Sequence, residues 1–245
     1  MKKNFTILSV LLIILFSLTV KAQDDKPVAK SYMAFLGGLS VPVGVYGSSD
    51  YANNNAGFAH KGETFGLDFG IYIHKNFGIG ISLAYQDQGE LDSLQDVSLA
   101  NGYNNSFGKN QSSVTSLGRY TNLTLMAGPQ YSFLYKSFTF DLRVQAGIIK
   151  SFTTPETTIL LDYTSSTGAT YYQESSGAVA LAYGGSFGVR YALSDSWDVG
   201  LKINYVNSSG LKISNTGGDG ATTGRFQTNM PVSLIQPTLG ITLKF

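Results

Sequence analysis

Three observations predict an all-β fold, an eight-stranded antiparallel up-and-down transmembrane β-barrel. Eight stretches alternate apolar residues with small or polar ones, their connections are alternately short and long, and the surface is short of charge. The 245 residues suffice for one large all-β domain. Asp, Glu, Lys and Arg make up only 13% of them, against about 25% in soluble domains. Phe and Tyr supply 15 residues each and glycine 28, a balance that favours strands and turns over helices. Cysteine is absent, which excludes a disulfide framework, a thiolate metal site and a lipid-modified cysteine.

The first element is a leader. MKKNFTILSVLLIILFSLTVKAQ places Lys2 and Lys3 before an apolar run from Phe5 to Val20 and small residues after it, the three-part layout of a secretory signal peptide. Cleavage is expected after Ala22, with residues 1–22 removed and 23–245 forming the barrel. A transmembrane anchor is the competing reading, but the run is shorter than the roughly 20 residues a spanning helix needs. Removing 1–22 takes Lys2, Lys3 and Lys21 and no acid from 17 basic and 16 acidic residues. The net charge of −2 that remains gives no electrostatic case for nucleic acid.

The strands follow. In FGIGISLAY (77–85), Phe77, Ile79, Ile81, Leu83 and Tyr85 share one face, and Gly78, Gly80, Ser82 and Ala84 the other. FTFDLRVQAGI (138–148) sets Phe138, Phe140, Leu142, Val144, Ala146 and Ile148 against Thr139, Asp141, Arg143, Gln145 and Gly147. The eight runs span about 31–43, 63–74, 77–87, 120–134, 138–152, 178–192, 197–207 and 232–245, most of them long enough for a tilted spanning strand of about 9–11 residues. Tight turns at 74–76, 135–137 and 193–196 join three pairs, whereas the connections at 44–62, 88–119, 153–177 and 208–231 are long and rich in Ser, Thr, Asn, Gly and Tyr. All short turns and both termini therefore fall at one end, as in barrels with short periplasmic turns and four long extracellular loops. Only a closed barrel lets strands cross lipid with every backbone group paired. A lipocalin-like barrel would need a charged outer face; here the non-greasy face is mostly Gly, Ala, Ser and Thr, which suits a crowded interior. Pro129 and Pro237 fall inside the fourth and eighth runs, where each removes a ladder donor, so bulges are expected there.

The chain ends TLGITLKF, with a phenylalanine inside a strand and no solvated tail. Leader, alternating runs and this ending together resemble the small outer-membrane β-barrel proteins of Gram-negative bacteria, over essentially all of 23–245. That resemblance implies an assembly signal in the last strand: a polar residue, a glycine two later, then alternating hydrophobics ending in an aromatic. Thr238, Gly240, Leu243 and Phe245 fit it. It also implies outer-membrane lipid and lipopolysaccharide as surroundings, the barrel-assembly machinery as a partner during insertion, and no cofactor.

Eight strands enclose an interior just wide enough to be filled by side chains. The inward set contains Asp68, Asp141, Arg143, Arg190, Asp198, Lys202 and Lys244, with Gln130, Gln145 and Asn204. Asp141, Arg143, Arg190, Asp198 and Lys202 fall at similar depth on three successive strands, so one ion-paired network is expected in the periplasmic half. It is either a selectivity constriction or a structural plug whose charges satisfy one another, and the narrow lumen favours the plug.

Among the long connections, 153–177 carries two β-rich stretches, 157–163 and 170–173, read as a hairpin extending the fifth and sixth runs. In 208–231, Leu211 to Ser214 is β-rich and Asn215 to Gly220 reads as a turn. Exposed hairpin edges with Tyr163, Tyr171 and Tyr172 suit an extracellular protein or ligand, or are simply solvated. The GGDG stretch (217–220) lacks the Lys-Ser/Thr ending and following helix of a phosphate loop. Asp87, Glu90, Asp92 and Asp96 lack calcium-loop spacing and read as solvated acids, with a short helical turn through Leu91 and Leu94. Of the two histidines, His74 lies at a periplasmic turn and His60 on the outer side. Some small outer-membrane barrels are rim enzymes using a histidine there, but no spacing picks out partners for His60. The expected role is structural, adhesive or surface-interacting and not enzymatic. A small-solute or ion channel is the alternative, and a lipid-modifying or proteolytic rim enzyme the third.

Overall fold

The computed structural model describes residues 29–53, 55–162, 168–219 and 222–245; the leader reading for 1–22 lies outside them. Eight strands close into a barrel: β1 (Tyr32–Pro42), β2 (Gly62–His74), β3 (Phe77–Glu90), β5 (Arg119–Tyr135), β6 (Phe138–Thr153), β9 (Val179–Ala192), β10 (Trp197–Ser208) and β13 (Ser233–Lys244). Neighbours are antiparallel in the order β1-β13-β10-β9-β6-β5-β3-β2, with β1 closing on both β13 and β2. All eight correspond to the runs read from the sequence.

Burial is inverted relative to a water-soluble barrel. Along β10, Leu201 is 59% exposed, Lys202 8% and Ile203 50%, so the apolar face points out and the ammonium points in. The greasy faces of the other strands behave alike, as with Phe35, Ile71, Leu125, Leu142, Leu181 and Leu239. This excludes the lipocalin-like alternative, because an exterior of this kind is stable only against hydrocarbon.

Two-residue turns join β2 to β3 and β5 to β6, since His74 pairs with Phe77 and Tyr135 with Phe138. Their first residues, Lys75 and Lys136, have φ of 41° and 54°, the left-handed conformation that matches the twist of a tight hairpin.

The prolines do not produce the expected bulges. Pro237 stays in register with Ile203 of β10, and on the β1 side pairing lapses between Gly38↔Thr238 and Val41↔Ile235 without a register shift. Pro129 likewise pairs with Ile79 of β3, while the ladder to β6 lapses between Ala127↔Ala146 and Gln130↔Arg143 and resumes unshifted. Each lapse faces the side on which the missing N–H would have donated. Gly38 lies against the Pro237 carbonyl where a Cβ would collide, so strand contact is kept by close approach. The register shifts that do occur lie near strand ends, at Tyr72/His74, Asp87/Glu90 and Thr121/Asn122.

At the end opposite the short turns, the long connections form a second body. Helix α1 (Ser93–Phe107) replaces the expected short turn. Asp92 accepts from the Gln95 N–H at 2.9 Å, the Gln95 side chain accepts from the Asp92 N–H at 2.7 Å, and Gly108 ends the helix at φ 61°. Beside it β4 (Ser113–Leu117), β7 (Glu156–Leu161), β8 (Ala169–Gln173), β11 (Leu211–Asp219) and β12 (Thr222–Met230) make one antiparallel sheet in the order β4-β7-β8-β11-β12. The separate hairpins expected for 153–177 and 208–231 are thus parts of a shared sheet. Asn215 to Asp219 is strand and not turn, which also removes the loop reading of GGDG up to Asp219. Gly217 is needed there because the Tyr171 ring occupies the space of its Cβ. Gly220 and Tyr163 lie outside the described residues.

Candidate functional site: the closed lumen

The inward charges assemble into two linked arms near the short-turn end. In the first arm, Arg143 grips Asp68 with two donors, Nη1 to Oδ1 at 2.7 Å and Nη2 to Oδ2 at 3.0 Å, and Lys202 Nζ reaches Asp68 Oδ1 at 2.5 Å. In the second, Arg190 donates to Asp141 Oδ2 at 2.7 Å and to Asp198 Oδ2 at 3.1 Å, and Lys244 Nζ lies 2.6 Å from Asp198 Oδ1. Bidentate and shared pairing of this kind offsets the desolvation of charges taken out of water.

Gln130, Tyr32, Tyr72 and Ser132 tie the arms together. Gln130 Oε1 accepts from Arg143 Nε at 3.0 Å, and its Nε2 donates to the Tyr72 hydroxyl at 2.8 Å. Tyr32 donates to Asp68 Oδ2 at 3.0 Å, while the Arg190 guanidinium lies 3.9 Å from the centre of its ring. Ser132 donates to Asp141 Oδ1, and Tyr72 reaches the same oxygen at 3.2 Å. Asp68, Asp141, Asp198, Arg143, Arg190 and Lys202 are all buried.

Sequence parity places every one of these charges inward, but their pairing differs from the reading of five residues at one depth. Arg143 and Lys202 meet Asp68 on β2, across the lumen. Tyr32 and Tyr72 were absent from the inward set. Their parity was the available signal: Tyr72 is an even step from Asp68, and side chains two apart share a face.

Towards the long-loop end the lumen loses its charges: Gln86, Gln88 and Ser40 form uncharged hydrogen bonds on one side, and the other side turns apolar. Met126, Ile149, Ala182, Val206 and Leu234 line the walls and join Leu211, Ile213, Met230 and Val232 in one buried cluster. Tyr46 corks it from the 44–61 connection, edge-on to Tyr120 with centroids 5.8 Å apart, and the Tyr120 hydroxyl donates to the Gly57 carbonyl at 2.5 Å. Burial pushes the Tyr46 phenol well above its ordinary range.

The other candidates disperse. Arg119 pairs with Asp87 at 3.1 Å and Glu90 at 3.8 Å, Asp92 caps α1, and Asp96 Oδ2 accepts from the Ser116 N–H of β4 at 3.0 Å. Asp87, Asp92 and Asp96 are therefore structural, whereas Glu90 is exposed and solvated as read, and among the described residues no group of three or more His, Asp or Glu could hold a metal ion. His60 is exposed, and among the described residues it has neither serine nor carboxylate partner. His74 ends β2 at a short turn, and Tyr171 and Tyr172 sit on β8 of the outer sheet. Thr238, Gly240 and Leu243 lie on β13, and the Phe245 N–H donates to the Ser31 carbonyl at 3.0 Å.

A family model described as the outer membrane protein beta-barrel domain matches residues 8–230. No curated protein matches the chain. Among solved structures, it is similar to Neisserial surface protein A (12% identity, 89% of this chain and 98% of that one, TM-score 0.46). A major outer membrane protein from Thermus thermophilus is also similar (11% identity, 89% and 100%, TM-score 0.49), as is OprG from Pseudomonas aeruginosa (14% identity, 89% and 97%, TM-score 0.41). With that family match over a closed eight-stranded barrel, the chain belongs to the outer membrane protein β-barrel family, and its place is the outer membrane.

Proposed function

We propose that this protein is a structural and surface-interacting barrel, with the five-stranded sheet and α1 standing outside the cell and the short turns in the periplasm. The observation that carries the reading is the lumen, which is filled at two levels by different chemistry: an ion-paired layer at one end and the Tyr46-corked apolar cluster at the other. A barrel so filled offers its outer body, not its bore, for contact.

That body suits a partner. The row Thr115, Thr158, Tyr172, Thr216 and Arg225 crosses all five strands on the outward face. Asp96 covers the β4 edge, while among the described residues no strand lies beyond β12. An open edge of this kind accepts an extended segment of another protein. Export in this reading uses the leader of residues 1–22, and Thr238, Gly240, Leu243 and Phe245 address the last strand to the assembly machinery.

Bilayer and whole-cell experiments test the proposal together. Refolded protein is expected to migrate differently before and after boiling and to show no steady single-channel conductance in planar bilayers. Added protease is expected to cut intact cells' protein only within 44–62, 88–119, 153–177 and 208–231, and cells displaying a variant shortened across 211–230 are expected to adhere less than wild type. Steady conductance would replace this reading with a small-solute or ion channel, and equal adhesion would remove the sheet's role.

A further inference from the structure

The two arms of the lumen network differ in charge. Asp141 and Asp198 face Arg190 and Lys244, two against two. Asp68 alone serves both Arg143 and Lys202, which leaves one positive charge in excess on the arm nearer the loop end. An uncompensated charge in so dry a place is costly.

Unused donors lie at this arm and one step beyond it. Lys202 Nζ has Asp68 Oδ1 as its hydrogen-bond partner among the described residues, although an ammonium carries three donors. One step further along the same strands, Gln145 follows Arg143 and Asn204 follows Lys202 on the inner face, and Gln236 pairs with Asn204 across the ladder. Gln145 Nε2 and Gln236 Nε2 are buried with no partner. The Ser82 hydroxyl donates to Gln145 Oε1 at 3.2 Å. Asn204 Oδ1 is also unpartnered.

Room exists beside Lys202. A cavity of about 20 Å³ is lined by Lys202, Arg143 and Arg190 against Asp68 and Asp141, three cations to two carboxylates, with Ser186 beside them. That is space for about one water-sized particle, and glycines on β9 and β10 open it.

We propose that this cavity binds one small monovalent anion of the halide class, held by Lys202 and the Ser186 hydroxyl, as the counter-charge of the Asp68 arm. The charge is matched by a single halide, and the spare donors of Lys202 with the Ser186 hydroxyl are what an acceptor-only ligand requires. The site does not depend on whether the outer sheet meets a partner.

Bromide is the probe. Crystals of the detergent-solubilised protein grown in bromide are expected to give one anomalous peak in the lumen, in contact with Lys202 Nζ. Lys202→Met removes the excess charge and the donors while leaving Asp68 matched to Arg143, and is expected to lose the peak. Ser186→Val fills the cavity, leaves all the ion pairs in place and is expected to lose it as well; boiling-dependent migration confirms that each variant is folded. Chloride NMR line broadening that falls to background in both variants is the expected solution counterpart. A wild-type lumen without bromide, a peak that survives both substitutions, or equal broadening in all three proteins would overturn the proposal in favour of water at this position.

Discussion

The two halves of the lumen solve the same packing problem with opposite chemistry. Along four walls the change is abrupt: Arg143 and Gln145 give way to Ile149 on β6, Lys202 and Asn204 to Val206 on β10, Ser186 to Ala182 on β9, and Gln236 to Leu234 on β13, while β1, β2, β3 and β5 keep the uncharged polar Ser40, Thr64, Gln86, Gln88, Asn122 and Thr124. Below the change, the barrel is polar inside and apolar outside. Above it, the interior cluster continues into a sheet and helix that are apolar inside and polar outside, as in any water-soluble body. The chain thus follows two solvents, but the change inside the barrel comes before the change outside: Leu125, Ile148, Leu181 and Ile235, next to apolar lumen residues, still face outward. The ion-paired half gains uniqueness from pairing, whereas the loop-end half gains stability from burial.

The comparison breaks most visibly at Asp68. Asp68→Ala leaves Arg143 and Lys202 buried without their carboxylate, and a loss of about 3–5 kcal/mol is expected, read as an earlier urea midpoint of the boiling-dependent gel shift in lipid vesicles. Replacing Asp68, Arg143 and Lys202 together by apolar residues of similar volume is expected to recover most of that loss. If the triple variant is as unstable as the single one, pairing is not what makes the polar half tolerable.

On the other side, Ile213→Ala removes a fully packed side chain from the loop-end cluster, and about 2–5 kcal/mol is expected to be lost there. The expected sign is selective: faster protease cutting of the outer body with the gel shift unchanged. A parallel loss of both would show that the two halves unfold as one unit.

What the sequence shows of this arrangement also divides at the boundary. Lipid on the outside enforces period-two alternation, so all eight barrel strands and the inward side of every charge are legible. Which charge meets which is not, because pairing across a lumen depends on strand stagger that parity does not encode, and Asp68 is the example. The outer body was less legible. Gly217 and Gly218 imitate a turn while continuing β11, since the Tyr171 ring and not a backbone reversal demands the small residue. The length of α1 is hidden by its Ser and Asn content, yet the Asp92 and Gln95 pair, spaced as a capping box, is a signal that was present.

The solvent boundary has a pH signature in the outer body. Tyr103 of α1 packs edge-on to Tyr51 with centroids 5.2 Å apart, and burial, reinforced by Tyr51, pushes its phenol up to about 12. A raised phenol favours the fold while it is neutral. Its contribution is complete below the ordinary tyrosine range near pH 10 and is lost as pH rises through about 12. Absorbance titration of phenolate is expected to show a late-ionising fraction that shrinks in Tyr103→Phe, with α1 loosening over that window and the barrel band persisting. Loosening that begins below pH 10 would mean that another group governs the helix.

The smallest effect expected is at the Asp92 cap. Asp92→Ala removes the acceptor of the Gln95 N–H, the anchor of the capping box that starts α1, and such caps contribute about 1 kcal/mol. Asp96, one turn on, accepts from the Ser116 N–H and so covers the β4 edge from the same helix. Fraying at Asp92 is therefore expected to travel to that edge: hydrogen exchange at Ser116 should quicken along with the first turn of α1, while amides of β5 and β6 keep their protection. Exchange confined to the first turn would mean that Asp96 holds the edge independently of the cap, and that the outer body is built of smaller cooperative units than its shared sheet suggests.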